Sequence, residues 1–219
     1  MATIVETLQE LQTDERFVIR GVPWGVYQSI VQALGDNRVR TAFDGMNLEF
    51  MSPSPTHELY AEMLGNLLVA LAVDRRLRMR SGGSMRFQRQ ELERGLEPDK
   101  CYWIQSESAV RGKADIDLAV DSPPDLAIEI EMSRSALNRM SIYSRLGVPE
   151  VWRFDGEALR VHLLQTDGTY SESSASLCLP RLPVQIMARY LQPDDPTDDI
   201  SRVCAFVDWA RLFFKTNAE

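Results

Sequence analysis

The chain has 219 residues, a formal net charge of −8, 44% hydrophobic residues and 26% charged residues. This length fits one ordinary domain with a real core, and this composition excludes intrinsic disorder as the main state. The acidic balance argues against a protein that coats nucleic acid non-specifically, because such binding depends on basic surfaces that release counterions. It does not exclude a local basic groove.

The sequence predicts neither a membrane span nor an export route. The longest apolar run, 67–73, is far shorter than the roughly 20 residues that span a bilayer, and the first residues lack a basic segment followed by an apolar one. The cysteines Cys101, Cys178 and Cys204 have no metal-ligand spacing, and we interpret all three as structural residues. We therefore expect a cytoplasmic protein without membrane contact.

The first fifty residues predict a strand, a helix and a hairpin. Residues 17–19 form a short apolar strand, and residues 26–34 are typical of a helix. Residues 38–51 alternate between apolar and polar side chains around Asp44-Gly45, a dipeptide that favours a tight turn between two strands.

A long helix is predicted next, because Ser54 can cap it and Pro55 suits its first turn. Its apolar residues recur every three or four positions and should face the core. They are Leu59, Met63, Leu64, Leu67, Leu68 and Leu71. The other side of this helix presents Glu58 and, one turn later, Glu62.

Three more strands are predicted in the middle of the chain. Residues 77–80 and 85–88 flank the turn-like stretch 81–84, and residues 101–104 form an apolar strand. The composition of residues 105–113 is that of a loop.

Residues 125–131 alternate between apolar and mostly acidic side chains, which predicts a strand with one acidic face. Glu129 and Glu131 point to that face, and two like charges on a buried strand repel each other unless a cation or proton neutralises them. If the strand that follows Asp99 is a neighbour, Asp99 and Glu129 can clamp one Mg²⁺, joined by a backbone carbonyl such as that of Ile130.

A simpler interpretation of the same acids stays open. Glu129 and Glu131 could be the solvent face of an edge strand, with Asp99 capping a turn, since three spaced acids are a weak signal alone. A metal held by these acids would polarise a phosphate and lower the pKa of an attacking water, which suits phosphodiester hydrolysis.

The last third of the chain predicts alternating helices and hairpins. A helix over 133–146 should end at Gly147, and strands follow at 151–154 and 159–164. Residues 183–191 predict a further helix.

A final helix is predicted after a linker at 192–196, with Thr197 as its cap. Its apolar stripe either docks on the domain or pairs with a second chain. The stripe consists of Ile200, Val203, Val207, Ala210 and Phe214.

A set of short motifs runs from about residue 40 to about residue 190. The motifs are Met51-Ser52-Pro53-Ser54-Pro55, His57-Glu58, Glu97-Pro98-Asp99, Pro124-Asp125-Leu126, Glu129, Ser133 to Ser135, Tyr143 and Gly147-Val148-Pro149-Glu150-Val151-Trp152. In this order they resemble the PD-(D/E)xK restriction-endonuclease-like superfamily and, within it, the Uma-type "putative restriction endonuclease" family of bacteria.

The resemblance implies an α/β fold with a restriction-endonuclease-like core. In such a core, helices flank a mixed β-sheet, here with β-hairpins and a C-terminal helix. The implied organisation is a single domain over 1–195, with its core at about 38–190, and a helix within 196–219 that packs on the domain or on a dimer partner.

The resemblance also implies roles for four residues at the site. Asp99 and Glu129 would bind the metal, Mg²⁺ or Mn²⁺. Glu58 would contact the metal or its waters, although its position at a helix start has an equally good explanation in the helix dipole. His57 would lie at the edge of the site, unless it is a structural histidine.

Two positions depart from the superfamily pattern. Lys usually stands two residues after the second acid, where this chain has Glu131, which we assign as a further ligand or as the base. The family often has Lys four residues before the tyrosine of the following helix, and here that residue is Arg139, which cannot act as a base at neutral pH. Arg139, Lys113 and Arg134 are candidate phosphate contacts.

From these residues we predict a Mg²⁺-dependent endonuclease that hydrolyses DNA, with a homodimer as one option. The alternative is a catalytically degenerate nuclease-fold protein that binds nucleic acid or a protein without hydrolysis. The pI of about 4.9 and the missing Lys favour this alternative. A third hypothesis is a dimeric interaction module built on the helix at 197–215.

Overall fold

The computed structural model describes residues 13–35, 39–192 and 197–217. Within these ranges the strands are β1 (Glu15–Arg20), β2 (Arg40–Phe43), β3 (Asn47–Ser52), β4 (Arg80–Gly83), β5 (Phe87–Arg89), β6 (Arg94–Leu96), β7 (Lys100–Trp103), β8 (Leu126–Ile130), β9 (Glu150–Phe154), β10 (Leu159–Leu164) and β11 (Tyr170–Ser173). The α-helices are α1 (Trp24–Leu34), α2 (Pro55–Arg75), α3 (Glu107–Val110), α4 (Arg139–Leu146) and α5 (Asp199–Thr216), and Gln90–Leu92 and Val184–Tyr190 are 3₁₀ helices.

The strands form two sheets. The smaller sheet has the order β1-β3-β2-β6-β5 and is antiparallel throughout. The larger sheet has the order β11-β10-β9-β8-β7-β4 and is mixed, because β8 and β9 run parallel while its other pairs are antiparallel. The predicted mixed α/β class is therefore confirmed, and β8 lies inside the larger sheet.

Helices cover both faces of the larger sheet. The first face packs against α2, α5 and the 3₁₀ helix Val184–Tyr190. The second face packs against α4 and against residues of β2, β5 and β6 in the smaller sheet. Because apolar residues cover both sides, all five residues of β8 are buried, including Glu129. The alternative interpretation of Glu129 as the solvent face of an edge strand is therefore wrong.

The long helix α2 begins as the sequence predicts. The Ser54 hydroxyl accepts a hydrogen bond from the His57 backbone N–H at 3.2 Å, and Pro55 is the first helical residue. Of the predicted core residues, Met63, Leu64, Leu67, Leu68 and Leu71 are buried. Leu59 is 38% exposed, so its assignment to the core is wrong.

The helix predicted over 133–146 is shorter than expected. α4 begins only at Arg139, where the Asn138 side chain accepts a hydrogen bond from the Ser141 N–H at 3.1 Å. The Ser135 hydroxyl bonds both the N–H (3.2 Å) and the C=O (3.0 Å) of Leu137, which offers the backbone an alternative to a helix. The end at Gly147 is confirmed, since this residue has a left-handed φ of 79°.

The strands predicted on either side of 81–84 are partly wrong. The chain enters β4 only at Arg80, and β4 contains Ser81–Gly83, which the sequence predicted as a turn. β4 and β5 do not pair with each other, because β4 joins β7 and β5 joins β6 in the other sheet. A short helix, α3, occupies part of the predicted loop at 105–113.

The C-terminal helix α5 packs on α2. This agrees with the first predicted alternative, in which the helix docks on the domain. Its cap is Asp198 rather than Thr197, since the Asp198 carboxylate accepts from the Ser201 N–H at 3.0 Å. Ile200 is 71% exposed, whereas Phe206, absent from the predicted stripe, is fully buried.

The remaining predictions for this end of the chain have mixed outcomes. Most of the predicted linker, 193–196, lies outside the described residues, and the helix predicted at 183–191 is a 3₁₀ helix. Cys101 and Cys178 are buried, but Cys204 is exposed on α5, so its structural role is not supported by burial. No helix in the described ranges is long and apolar enough to cross a membrane.

Gly82 provides a test of how β4 packs on β7. A methyl group there would approach the Cys101 Sγ to 2.5 Å and the Trp103 ring to 2.8 Å, and both side chains are fully buried. We expect Gly82→Ala to destabilise the protein by about 1–3 kcal/mol in urea unfolding, because the core must shift to admit it. Gly25→Ala, at a helical glycine with open space around it, should instead be neutral or stabilising. Equal midpoints for both variants would contradict the described packing.

Candidate active site

Asp99 and Glu129 lie next to each other at the end of the β7–β8 ladder. The last registered pair is Lys100 with Ile128, and Asp99 directly precedes β7. Cys101 and Ala127, each two residues away, pack in the same apolar cluster, which places Asp99 and Glu129 on the same face of the sheet. The two acids that the sequence singled out thus come from neighbouring strands.

The Asp99 carboxylate is 1% exposed and has two unlike oxygens. Oδ2 accepts a hydrogen bond from the Ile130 backbone N–H at 2.6 Å. Oδ1 forms ion-pair contacts with Arg40 and with His57 Nε2, the latter at 2.9 Å, but has no hydrogen-bond partner. A buried carboxylate oxygen without a hydrogen bond is costly unless a cation lies against it.

His57 is fully buried beneath Asp99 and lies between two carboxylates. Its Nδ1 is 3.1 Å from Asp14 Oδ2, and its Nε2 is 2.9 Å from Arg40 Nη1. The second Arg40 nitrogen donates to Glu58 Oε1 at 2.6 Å. Glu58 therefore reaches Asp99 through Arg40, and His57 is part of the interior of the site rather than of its edge.

Asp14 is a residue that the sequence analysis missed. Burial would raise the pKa of its carboxyl group, but hydrogen bonds from His57 and the Ser54 N–H (3.0 Å) and the charge of Arg16 lower the pKa from 3.8 to about 2. It lies 43 positions from His57 in the sequence, so no local pattern could link the two residues.

The Glu129 carboxylate forms a buried, two-pronged ion pair with Arg139. Arg139 Nε donates to Oε2 at 2.9 Å and Nη2 donates to Oε1 at 2.6 Å, while Nη2 also donates to the Glu97 carbonyl at 2.8 Å. The Tyr143 hydroxyl donates to Oε1 as well. Arg139 is thus committed to Glu129, rather than free as a phosphate contact.

Burial and the charge of Glu129 determine the charge states of Arg139 and Tyr143. Burial alone would lower the pKa of Arg139, but the neighbouring Glu129 charge keeps that pKa above its usual value. Burial and the same charge raise the pKa of Tyr143 well above 10. At neutral pH Arg139 is therefore charged, and Tyr143 keeps the proton that it donates.

Glu131 lies just beyond β8 and is paired with Arg153. Two hydrogen bonds of 2.8 Å join the guanidinium to the carboxylate, and each side chain is 34% exposed. Arg153 lies in β9, opposite Glu129 in the parallel ladder. No motif in the sequence marks Arg153, although it lies two residues after the start of the strand predicted at 151–154.

A polar groove of about 650 Å³ runs beside these residues. Its walls are the end of β8, the irregular segment 132–138 and the start of α4, and both Glu129 and Glu131 line it. Arg134 is exposed on this wall. Lys113 does not line the groove and forms an ion pair with Asp121.

The carboxylate oxygens of Asp99 and Glu129 are the type of donor atom that Mg²⁺ prefers. No group of three or more His, Cys, Asp or Glu residues able to hold a metal occurs in the described ranges. Mg²⁺ commonly uses only one or two carboxylates, together with waters and substrate phosphates. Asp99 Oδ1 already lies against Arg40 and against His57 Nε2, and Glu129 Oε2 accepts a hydrogen bond from Arg139, so a bound metal would share both oxygens with these nitrogens.

The chain is similar to a family of proteins and to a solved structure that are both described as nucleases. A family model described as "Uma2: Putative restriction endonuclease" matches residues 32–189, a span that includes Asp99, Glu129, Glu131 and Arg153. A crystal structure described as a putative nuclease belonging to DUF820, from Anabaena variabilis ATCC 29413, is similar over 85% of this chain and 99% of that chain, with 14% sequence identity and a TM-score of 0.49. No curated protein matches the chain.

The buried Glu129–Arg139 pair predicts that removal of Arg139 destabilises the protein. Arg139→Ala leaves a buried carboxylate without its partner, and we expect a loss of about 3–5 kcal/mol in the free energy of unfolding. Adding Glu129→Gln should recover part of this loss, because the uncompensated charge is then removed. Arg145→Ala, at an exposed position of the same helix, should stay within about 0.5 kcal/mol of the wild type. Similar losses for both arginines would contradict the described pair.

The lowered pKa of Asp14 predicts that the free energy of unfolding depends on pH. Its folded-state pKa of about 2 lies below the unfolded value of 3.8, so its stabilising effect is complete above pH 4 and is lost as the pH falls towards 2. The difference of about 1.8 pKa units (3.8 minus 2) corresponds to about 2.5 kcal/mol. In urea unfolding, Asp14→Asn should be less stable than the wild type by about this amount at pH 6, and the gap should close between pH 4 and 2. A gap that is constant with pH would refute the prediction.

Proposed function

The chain belongs to the Uma2 family, described as putative restriction endonucleases, and on that premise we propose that it is a Mg²⁺-dependent endonuclease that hydrolyses DNA phosphodiester bonds. The observation that carries this proposal is the pair Asp99 and Glu129, which lie side by side at the end of neighbouring strands on the same face of the sheet. Glu129 lines an open groove that gives a substrate access to it, whereas Asp99 is 1% exposed and is not part of the groove wall.

Asp99 and Glu129 would hold the Mg²⁺. A metal at such a site polarises a phosphoryl oxygen and lowers the pKa of a bound water. The surroundings hold the two carboxylates in place: the Ile130 N–H orients Asp99, and the Arg139 guanidinium fixes both oxygens of Glu129. Such fixed geometry is what metal-assisted hydrolysis requires of the protein.

Arg139 occupies a position where the family often has Lys. Because a guanidinium does not act as a base, Arg139 can perform fewer roles than a Lys amine. A guanidinium keeps its proton at any pH at which the protein is folded, so Arg139 cannot take a proton from water. We assign it as a positioning residue for Glu129. Tyr143 has the same role, because its raised pKa keeps its hydroxyl a donor.

Glu131 is the residue we assign as proton acceptor or further ligand. It is one-third exposed, lines the groove with Glu129 and is anionic in its pair with Arg153. A carboxylate has about four acceptor positions and Arg153 uses two of them, so Glu131 retains capacity to receive a proton from a nearby water.

A second candidate function has its own supporting observation. Each of the three site carboxylates already faces an arginine, so the charge of the site is balanced within the chain. The pairs are Asp99 with Arg40, Glu129 with Arg139 and Glu131 with Arg153. Such balance suits a nuclease-fold protein that binds nucleic acid without cutting it.

Cleavage of supercoiled plasmid tests the first function. Wild-type protein with Mg²⁺ or Mn²⁺ should nick or linearise the DNA, and EDTA should prevent this. We expect Asp99→Asn to reduce the rate by at least about 100-fold, since it removes a metal ligand while keeping the shape of the side chain. Asp208→Asn, at an exposed acid on α5, is the matched control. Equal cutting by wild type and Asp99→Asn would reject Asp99 as a ligand.

Calorimetry separates the two candidate functions without a cleavage assay. Titration of Mg²⁺ or Mn²⁺ into the protein should give a binding signal that Glu129→Gln weakens about tenfold or more, because a ligand is lost. Metal binding of equal strength in wild type and variant, or no binding in either, would reject the metal site at Glu129 and favour the protein that binds nucleic acid without cutting it. Circular dichroism of the variant checks that it is folded.

A further inference from the structure

A second cleft, of about 900 Å³, lies on the outer side of α4. Its walls come from α4, from the strands β9 and β10, and from the turn between β10 and β11. Asn138, Met140 and Arg153 line both this cleft and the groove that holds Glu129 and Glu131. The two spaces therefore adjoin, and a chain-like ligand that passes over these residues could reach from one to the other.

The cleft carries several nitrogen donors that the protein itself does not use. Arg89 Nε and His162 Nε2 are buried atoms without a hydrogen-bond partner, and the nearest carboxylate oxygen to Arg89 Nε, on Glu91, is 4.0 Å away. Arg145 lines the same cleft and forms no ion pair with any residue in the described ranges. Buried donors are normally satisfied, so this combination indicates a missing acceptor.

The acid that lines the cleft forms no hydrogen bond with these nitrogens. Asp167 lines the cleft, but its Oδ1 already accepts from the Thr169 N–H at 2.9 Å and the Thr169 hydroxyl at 2.7 Å. Glu131, at the shared end, is paired with Arg153. In a chain with a net charge of −8, a cleft where Arg145 has no ion pair and Arg89 has only a 4.0 Å contact with Glu91 is a local basic surface and favours an anion.

We propose that this cleft binds backbone phosphates of a DNA strand whose scissile bond lies in the groove beside Glu129. The inference rests on the proposed function and names where the rest of its substrate is held. Arg89 and Arg145 contact the phosphates through their guanidinium groups.

The chemistry of the walls supports a nucleic-acid backbone over a small metabolite. Small-molecule sites are concave and mostly apolar, whereas this cleft is open and lined by hydroxyl and amide groups beside its arginines. Such side chains are the usual partners of phosphate and sugar oxygens. They are Asn138, Ser141, Ser144 and Thr169.

The length of α4 fits this path. Arg139 and Arg145 are six residues apart, which is about 9 Å along a helix. A DNA strand advances about 3.4 Å per nucleotide along its axis, so the cleft lies two to three nucleotides from the groove.

Binding of a fluorescein-labelled 20-base-pair duplex, measured by anisotropy in EDTA over a range of KCl concentrations, tests the proposal. Each lost phosphate contact should reduce the slope of log K against log salt by about 0.9. We expect this change, with weaker binding of at least about threefold, for Arg145→Gln and for Arg89→Gln. Arg189→Gln is the matched control, because Arg189 is exposed on the 3₁₀ helix at the opposite face of the larger sheet.

The outcomes separate this inference from the proposed function. Equal slopes for Arg145→Gln, Arg189→Gln and wild type would overturn the phosphate site, as would Arg145-dependent binding of inorganic phosphate without binding of the duplex. A wild type that shows the Arg145-dependent slope but cuts no DNA with either metal would reject the nuclease function and support the cleft. Arg145 is exposed, so loss of folding should not confuse the result; circular dichroism checks this.

Discussion

The buried ion pair between Glu129 and Arg139 is the interaction on which the arrangement of the site depends. β8 lies inside the larger sheet and is buried on both faces, so a carboxylate on it needs a charged partner from another element. Arg139 provides that partner from the first residue of α4 and also bonds the carbonyl of Glu97, two residues before Asp99. The pair thus fixes α4 against the strands, and α4 in turn forms a wall of both the groove and the cleft.

Charge balance explains how an acidic chain can present a surface for an anionic substrate. The site carboxylates face Arg40, Arg139 and Arg153, so the site does not add net negative charge to the groove. In contrast, Arg89 is 4.0 Å from its acidic neighbour Glu91, and Arg145 has no ion pair in the described ranges. The overall charge of −8 therefore says little about this surface, because the electrostatic potential at a cleft depends on the charges that line it.

Local physical chemistry explains which elements the sequence predicted well. The Ser54 cap and Pro55 start α2, Asp44-Gly45 closes the first hairpin, and Gly147 ends α4, because each depends on the conformation of only a few residues. The start of α4 was predicted six residues early, since the bonds of Ser135 to Leu137 compete with a helix. The pairing of β4 with β7 was also missed, because it depends on the close fit of Gly82 against Cys101 and Trp103.

The sequence by itself determined caps and turns, which are local properties, and its motif order singled out Asp99 and Glu129 and, through the family resemblance, implied the mixed α/β class. Only the tertiary structure decided that the strands of these two acids are neighbours. It also decided the partner of each acid. Arg139 proved to be a partner of Glu129 rather than a free phosphate contact, and Asp14 joined the site through His57. Ion pairs join residues that are far apart in the chain, and which charges meet depends on how the sheets and helices pack.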